Sequence, residues 1–184
     1  MPIEQLIPGF RPETALEREL ASDPALLRGL AWGRPRPGHP EGSVGVHVAD
    51  ILAAISEPPG RRRDELRFLA LVHDGCKHRV RPDAGYSPDN DHAVLARRFA
   101  ERYTSDRRLL DALELHDEPY RIWRTRRDDG RAALAAMLVR IPDLGLFLRF
   151  VDLDGSTAGK DPRPLAWLHG VVEAEAPAGL SLAA

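Results

Sequence analysis

The stretch from Leu66 to Asp74 places the strongest constraint on the fold, because it is an apolar run that ends in an adjacent imidazole and carboxylate. One side of this stretch has the i, i+3, i+4, i+7 spacing of a single helix face, formed by Leu66, Leu69, Ala70 and His73. We therefore expect the imidazole of His73 to point into the core beside Asp74. An unpaired buried charge is costly, so this pair needs a buried partner, and a metal ion is the obvious candidate.

Composition narrows the class of protein. The 184 residues fit one domain with or without short extensions, and a hydrophobic fraction of 43% is enough for a core. A formal charge of -2 gives no global bias toward nucleic acid or membrane. Cys76 is the only cysteine, which excludes an internal disulfide. The chain shows no signal-peptide pattern and no run near the roughly 18 apolar residues of a spanning helix. We therefore expect a cytoplasmic protein without a membrane partner.

Lysine is rare in this chain. Of the 26 basic residues, only Lys77 and Lys160 are lysines, and the others are arginines. A GC-rich genome produces such a bias by itself. Against that bias, each remaining lysine is a candidate for a position that needs a compact ammonium group, although two lysines can also persist by chance.

Apolar stripes of helical period recur along the chain, whereas no segment alternates like a strand, so we predict an all-α fold. Asp23 and Ser105 are the predicted N-caps of two of the helices. The segment 79–90 is rich in Pro, Gly and Asp, and loops of this length inside a helical domain are often functional. Besides the central helix, the predicted helices cover residues 13–21, 24–31, 43–55, 91–103, 106–116, 131–152 with a break at Pro142, and 164–172, with irregular ends over 1–10 and 173–184.

Several imidazoles and carboxylates share an inward position on different predicted helices. A lone histidine on an apolar face is more often a hydrogen-bonded core residue than a ligand. Four such histidines together with two inward carboxylates would make a costly interior, and a shared metal site satisfies all of them. The six candidate ligands are His47, His73, Asp74, His92, His116 and Asp152.

The order His, His-Asp, His, His, Asp along an all-α chain resembles that of the HD-domain metal-dependent phosphohydrolases. The resemblance covers about residues 39–157. The sequence His-Pro-Glu-Gly-Ser-Val over 39–44, before His47, is similar to the HD domain of tRNA nucleotidyltransferases. The segment 149–156 is similar to the family's closing segment. The nucleotidyltransferase catalytic domain is missing, so CCA addition is not expected.

The resemblance implies an HD-domain helical bundle over 39–160, preceded by a helical extension over 1–38 and followed by a helix and tail over 161–184. It implies one metal held by the first His, the His-Asp pair and Asp152. The additional His92 and His116 imply a second metal bridged by Asp74, as in HD-type diadenosine tetraphosphate hydrolases and HD-GYP phosphodiesterases. No Gly-Tyr-Pro segment and no paired His follow His116, which argues against cyclic-di-GMP cleavage.

Histidine with carboxylate suits one or two ions of Mn, Fe, Co, Ni or Zn better than Mg or Ca. Such an ion lowers the pKa of a bound water from 15.7 to about 7. The catalytic candidates are Asp74 and Lys77, and we expect Lys77 to bind the scissile phosphate and stabilise developing charge. The alternative for Lys77 is an exposed side chain after a helix end. Arg79, Arg81 and Lys160 are candidates for further phosphate contacts.

Other polar residues have weaker functional interpretations. The segment 120–127 interleaves aromatic and basic residues, which can stack a base and bind phosphate, but a surface turn packed by Trp123 is favoured. Asp50 and Asp117 are candidates to orient an imidazole, although solvated acids are commoner. The residues interpreted as exposed or structural are His39, His78, His169, the run 61–63 and Cys76.

We therefore predict an all-α phosphohydrolase that cleaves a phosphate ester or anhydride, with a nucleotide as the favoured substrate and metal-activated water as the nucleophile. Its partner would be that small molecule rather than nucleic acid. The alternatives are a non-catalytic nucleotide-binding module that retains the fold, and a di-iron oxygenase of the same fold, because fold constrains function loosely.

Overall fold

The computed structural model describes residues 1–37, 40–125 and 130–175, and in these ranges it contains helices and no strand. The prediction of an all-α fold is confirmed. One isolated backbone bridge joins Gly33 to Ser43. The helices are α1 Ile3–Leu6, α2 Ala15–Leu20, α3 Pro24–Leu30, α4 Val44–Ala54, α5 Arg61–Val72, α6 His92–Ala100, α7 Arg107–Leu115, α8 Glu118–Thr125, α9 Gly130–Leu138, α10 Leu144–Gly155 and α11 Arg163–Glu175, with 3-10 turns at Lys77–Arg79 and Pro88–Asn90.

Helix α5 is the centre of the bundle. Its last seven residues, 66–72, are all buried, because α4, α7 and α10 pack around it. The predicted core face is confirmed, since Leu66, Leu69 and Ala70 are fully buried and His73 follows them at 0% exposure. The helix therefore delivers the imidazole and the carboxylate of Asp74 to the middle of the protein.

The N-terminal residues pack on α5 through a buried ion pair. The guanidinium of Arg67 donates to both carboxylate oxygens of Glu17, at 2.6 and 2.9 Å. Arg63 binds Glu13 in the same way. Arg61 and Arg62 also form ion pairs, with Glu65 and Asp143, so all three arginines of the predicted solvated run 61–63 are paired. The prediction of an irregular segment over 1–10 was wrong in part, because α1 forms there with two of its residues buried.

Short polar side chains set the starts of several helices. Asp23 accepts hydrogen bonds from the next helix's first backbone N–H groups, as predicted. The predicted cap Ser105 was wrong, because Asp106 accepts from the N–H of Arg108 at 2.9 Å. Asp143 caps α10 after the predicted break at Pro142.

The C-terminal half differs from the prediction at two places. The segment predicted as a surface turn forms α8, and its last two predicted residues, Arg126 and Arg127, lie outside the described residues. Residues 173–175, predicted to fray, belong to α11, and residues 176–184 lie outside the described ranges. None of the helices in the described ranges is long and apolar enough to span a membrane.

Candidate metal centre

Four histidine rings form a continuous cluster at the centre of the bundle. His73 lies 5.4 Å from His47 and 5.3 Å from His116 between ring centroids, and His116 lies 5.3 Å from His92. The rings come from α4, the end of α5, the start of α6 and the end of α7. The sequence therefore brings four distant imidazoles together, as predicted, with Asp74 among them at 3% exposure.

We call His47, His73, Asp74 and Asp154 the first group. The Nε2 atom of His73 lies 3.5 Å from Asp74 Oδ2 and 3.8 Å from Asp154 Oδ1. The Nε2 atom of His47 lies 2.8 Å from the same Asp154 oxygen. Ligand atoms of His47, His73 and Asp74 all lie within 4.8 Å of one another, close enough to surround one metal ion.

We call Asp74, His92, His116 and Asp117 the second group. Asp74 Oδ1 lies 3.5 Å from His92 Nε2 and 3.8 Å from His116 Nε2. Asp117 approaches the same two nitrogens, at 3.3 Å from His92 and 3.9 Å from His116. Asp74 thus belongs to both groups, with one carboxylate oxygen toward each.

Backbone carbonyls of the preceding helical turns fix two of these rings. The Nδ1 of His73 lies 3.0 Å from the carbonyl of Ala70, and that of His116 lies 2.8 Å from the carbonyl of Leu113. A carbonyl only accepts, so Nδ1 carries a proton in both rings, and Nε2 presents its lone pair whenever the ring is neutral. Metal-ligating histidines are oriented in this way.

The interior contains buried polar atoms that a cation would satisfy. The Nε2 atoms of His73 and His92 and the Oδ1 of Asp74 are buried without a hydrogen-bond partner. Buried polar atoms are rarely left without partners, so these need an explanation. Imidazole nitrogens and a carboxylate oxygen that face one another are a donor set for a divalent transition metal, and the residues therefore fit such an ion.

The electrostatics favour the ligand forms of most of these groups. Burial lowers the pKa of His73 to about 4 and also lowers the pKa of His92, so both are neutral at pH 7. Burial acts to raise the pKa of Asp74, but Lys77 and the imidazoles outweigh it and hold this pKa well below its usual value. His116 differs, because Asp117 and Asp74 overcome its burial and raise its pKa to about 9. A metal there would have to displace a proton.

The structure corrects one predicted ligand. Asp152 lies away from the cluster and its Oδ1 pairs with His169 Nε2 at 2.7 Å, both side chains being about one-third exposed. Asp154 occupies the position beside His47 and His73 that was predicted for Asp152. The reason is helical phase: the buried stripe of α10 runs through Phe147, Phe150, Val151 and Asp154, at i, i+3, i+4 and i+7. The sequence contains this stripe, but Leu148 and Asp152 form a second one, so periodicity did not choose between the two aspartates.

Both lysines of the chain line one cavity of about 350 Å³ beside the cluster. Lys77 Nζ lies 2.5 Å from Asp74 Oδ2, and Lys160 Nζ lies 3.9 Å from Asp154 Oδ1. The cavity is also lined by His116, Asp117 and Asp154, so it opens onto both groups. The predicted phosphate contacts Arg79 and Arg81 do not line it and are exposed, so the structure does not bring them to the site.

The secondary predictions have mixed outcomes. Asp117 is part of the second group, whereas Asp50 is exposed away from it. The Nδ1 atom of His78 donates to the carbonyl of Gly75 at 3.1 Å, and His39 lies outside the described residues. Cys76 is buried and its pKa is raised by that burial, which does not favour a thiolate ligand or nucleophile.

Comparison of the chain with protein-family models, with curated proteins and with solved structures finds no match. The candidate metal centre is a cluster of four histidines and three aspartates in an all-α fold. It is buried around His47, His73, Asp74 and His116 and partly exposed at Asp117, and its geometry is suited to hold metal.

Proposed function

We propose that this chain is an HD-type metal-dependent phosphohydrolase, which cleaves a phosphate ester or anhydride with water. One observation carries the proposal. The two oxygens of Asp74 face two separate sets of imidazole nitrogens, while the chain's two lysines line a cavity that reaches the same aspartates. Adjacent cation sites and ammonium groups beside a cavity are a combination that suits phosphoryl chemistry.

The residues that would hold the ions are those of the two groups, with Asp74 shared. Nitrogen and oxygen donors favour Mn, Fe, Co, Ni or Zn over Mg and Ca, and Cys76 contributes no sulfur ligand to the set. A bound divalent ion would supply Lewis acidity and would lower the pKa of a bound water toward about 7.

The chain's own residues have defined parts in the proposed reaction. The ammonium groups of Lys77 and Lys160 bind phosphate oxygens and stabilise the charge that develops there. Burial acts to lower the pKa of Lys77, but Asp74 and Asp117 outweigh it, so this lysine stays protonated. The water oxygen forms a bond to phosphorus as the bond to the leaving oxygen breaks. One water proton ends on the leaving oxygen. An ester substrate yields an alcohol together with orthophosphate or a monoester, and an anhydride yields two phosphate products.

The test is to load purified protein with Mn or Fe and to assay phosphomonoesters, phosphodiesters and nucleotides. We expect turnover of at least one class, and its loss in Asp74→Ala while the far-UV CD spectrum stays helical. The matched control is Asp152→Ala, which removes a carboxylate outside the cluster. Absence of turnover with every divalent ion would overturn the proposal, and tight phosphate binding without turnover would instead favour a non-catalytic binding module.

A further inference from the structure

We infer that the cavity selects a phosphomonoester that carries one phosphate and a compact, uncharged aromatic or apolar group. This inference rests on the proposed function and concerns the part of the substrate that is not phosphate. The cavity volume of about 350 Å³ lies at the low end of small-molecule sites, which span about 300–1,000 Å³. It therefore suits a small ligand rather than a dinucleotide or a polymer.

The positive charge of the cavity is confined to its contact with the cluster. Lys77 and Lys160 are the lysine and arginine side chains that line it among the described residues, and each lies beside a carboxylate of the first group. Ions bound by Asp74 and Asp154 would neutralise those carboxylates and leave the ammonium groups for phosphate oxygens. No arginine among the described residues lines the cavity, so a chain of several phosphates would extend past its cationic partners.

Apart from Asp161, whose carboxylate is paired with Arg163, the side chains of the remaining described lining are largely apolar. Pro119 of α8, Val151 of α10 and both Leu165 and Leu168 of α11 supply it, and Tyr120 adds a half-exposed ring. These surfaces offer area for a flat or aliphatic group and few polar atoms that would recognise the edges of a base.

The tyrosine ring is held in place by its neighbour. Tyr120 stacks on Trp123 with 6.1 Å between centroids and 26° between ring planes. A ring fixed in this way can pack on a second flat group at small entropic cost. We therefore assign the aromatic residues of α8 to the flat group of the substrate. The basic and aromatic pattern of the sequence alone did not define such a ligand.

Two kinds of substrate present one phosphate and a compact group. One is a nucleoside monophosphate, and the other is a simple aryl or alkyl phosphate. We expect kcat/KM for naphthyl phosphate or AMP to exceed that for glycerol phosphate, ATP and bis(p-nitrophenyl) phosphate. A preference for AMP over naphthyl phosphate identifies the nucleoside source, and the reverse identifies the aryl source. Equal or better turnover of ATP or of the diester would overturn the inference.

Leu165 provides the sharpest variant. Leu165→Asn should lower the affinity for naphthyl phosphate about tenfold, through loss of apolar contact, and leave the affinity for orthophosphate unchanged. Ala166→Asn, one residue away and exposed, is the matched control. Calorimetric titration of metal-loaded protein with both ligands measures this without any turnover. Binding without turnover would overturn the proposed function alone, whereas equal naphthyl phosphate affinity in wild type and Leu165→Asn would overturn the inference alone.

Discussion

The choice between two aspartates on α10 gives the most discriminating prediction. The structure assigns Asp154 to the first group, whereas Asp152 pairs with His169 outside the cluster. We expect Asp154→Asn to weaken metal binding strongly and Asp152→Asn to leave it almost unchanged. The two variants alter the same residue type two positions apart on one helix, so each is the control of the other.

The expected magnitudes follow from the contacts. Loss of a residue that merely orients a ligand costs about 10–100-fold in metal affinity, so loss of a ligand in direct reach should cost at least about 100-fold, or about 2.7 kcal/mol. The Asp152 carboxylate and the His169 imidazole are 32% and 38% exposed. An ion pair this exposed contributes about 0–1 kcal/mol to stability and does not reach the cluster.

The assay is competition for Zn²⁺ or Co²⁺ between the protein and a chromophoric chelator, at constant pH and ionic strength. Thermal unfolding of both metal-free variants shows whether the fold is retained. Equal losses of affinity in the two variants, or a larger loss in Asp152→Asn, would refute the assignment of Asp154.

Three further predictions concern stability and activity. Glu17→Ala removes the two hydrogen bonds that buried Arg67 donates to Glu17 and leaves that guanidinium with Glu13 and the carbonyl of Arg11, so it should cost about 1.5–3 kcal/mol. This loss lowers Tm by roughly 3–12 °C in scanning calorimetry, whereas exposed Glu19→Ala should change Tm little. Burial acts to raise the pKa of Asp91, but Arg121 and the helix cap hold it below 3.8, so its stabilising contribution is present above that pH and is lost as pH falls. The unfolding free energies of Asp91→Asn and wild type in urea should therefore differ at neutral pH and converge in acid. Lys77→Gln should retain metal by elemental analysis and lower kcat/KM about 10²–10³-fold, and an unchanged kcat/KM would contradict its assigned part.

Helical periodicity accounts for much of what the sequence could predict. The stripe of Leu66, Leu69 and Ala70 correctly predicted an inward imidazole at His73, although Phe68, Leu71 and Val72 make the other faces of the helix apolar as well. The same holds for His47, His92 and His116, which lie in the apolar stripes of separate helices. Helices of one domain pack their apolar stripes against a single core, so the histidines on these stripes are expected to meet there.

Helix α10 shows where periodicity fails. It is apolar on nearly all sides, with Leu146, Phe147, Leu148 and Phe150 all buried, so two phases predict two different aspartates. Only the packing of α10 against α5 and α4 selects Asp154. Asp117 was uncertain for a related reason, since it follows the end of α7, where the helical repeat no longer fixes the direction of a side chain.

The cavity and the N-terminal pairing depend on long-range packing. Pro37, α8, α10 and α11 meet around the cavity from distant parts of the chain, and no local pattern encodes that meeting. The contact of Arg67 with Glu17 spans 50 residues, so the sequence showed two charges without their partnership. The short helix α1 has four residues between prolines, too few for a periodic signal.

Anomalous scattering from crystals of the metal-loaded protein tests the central claim most directly. The account predicts two peaks about 3.5–4 Å apart, with the carboxylate of Asp74 between them, one beside His47 and His73 and the other beside His92 and His116. Crystals that show no anomalous peak at this cluster after soaking with Mn²⁺, Co²⁺ and Zn²⁺ would contradict it.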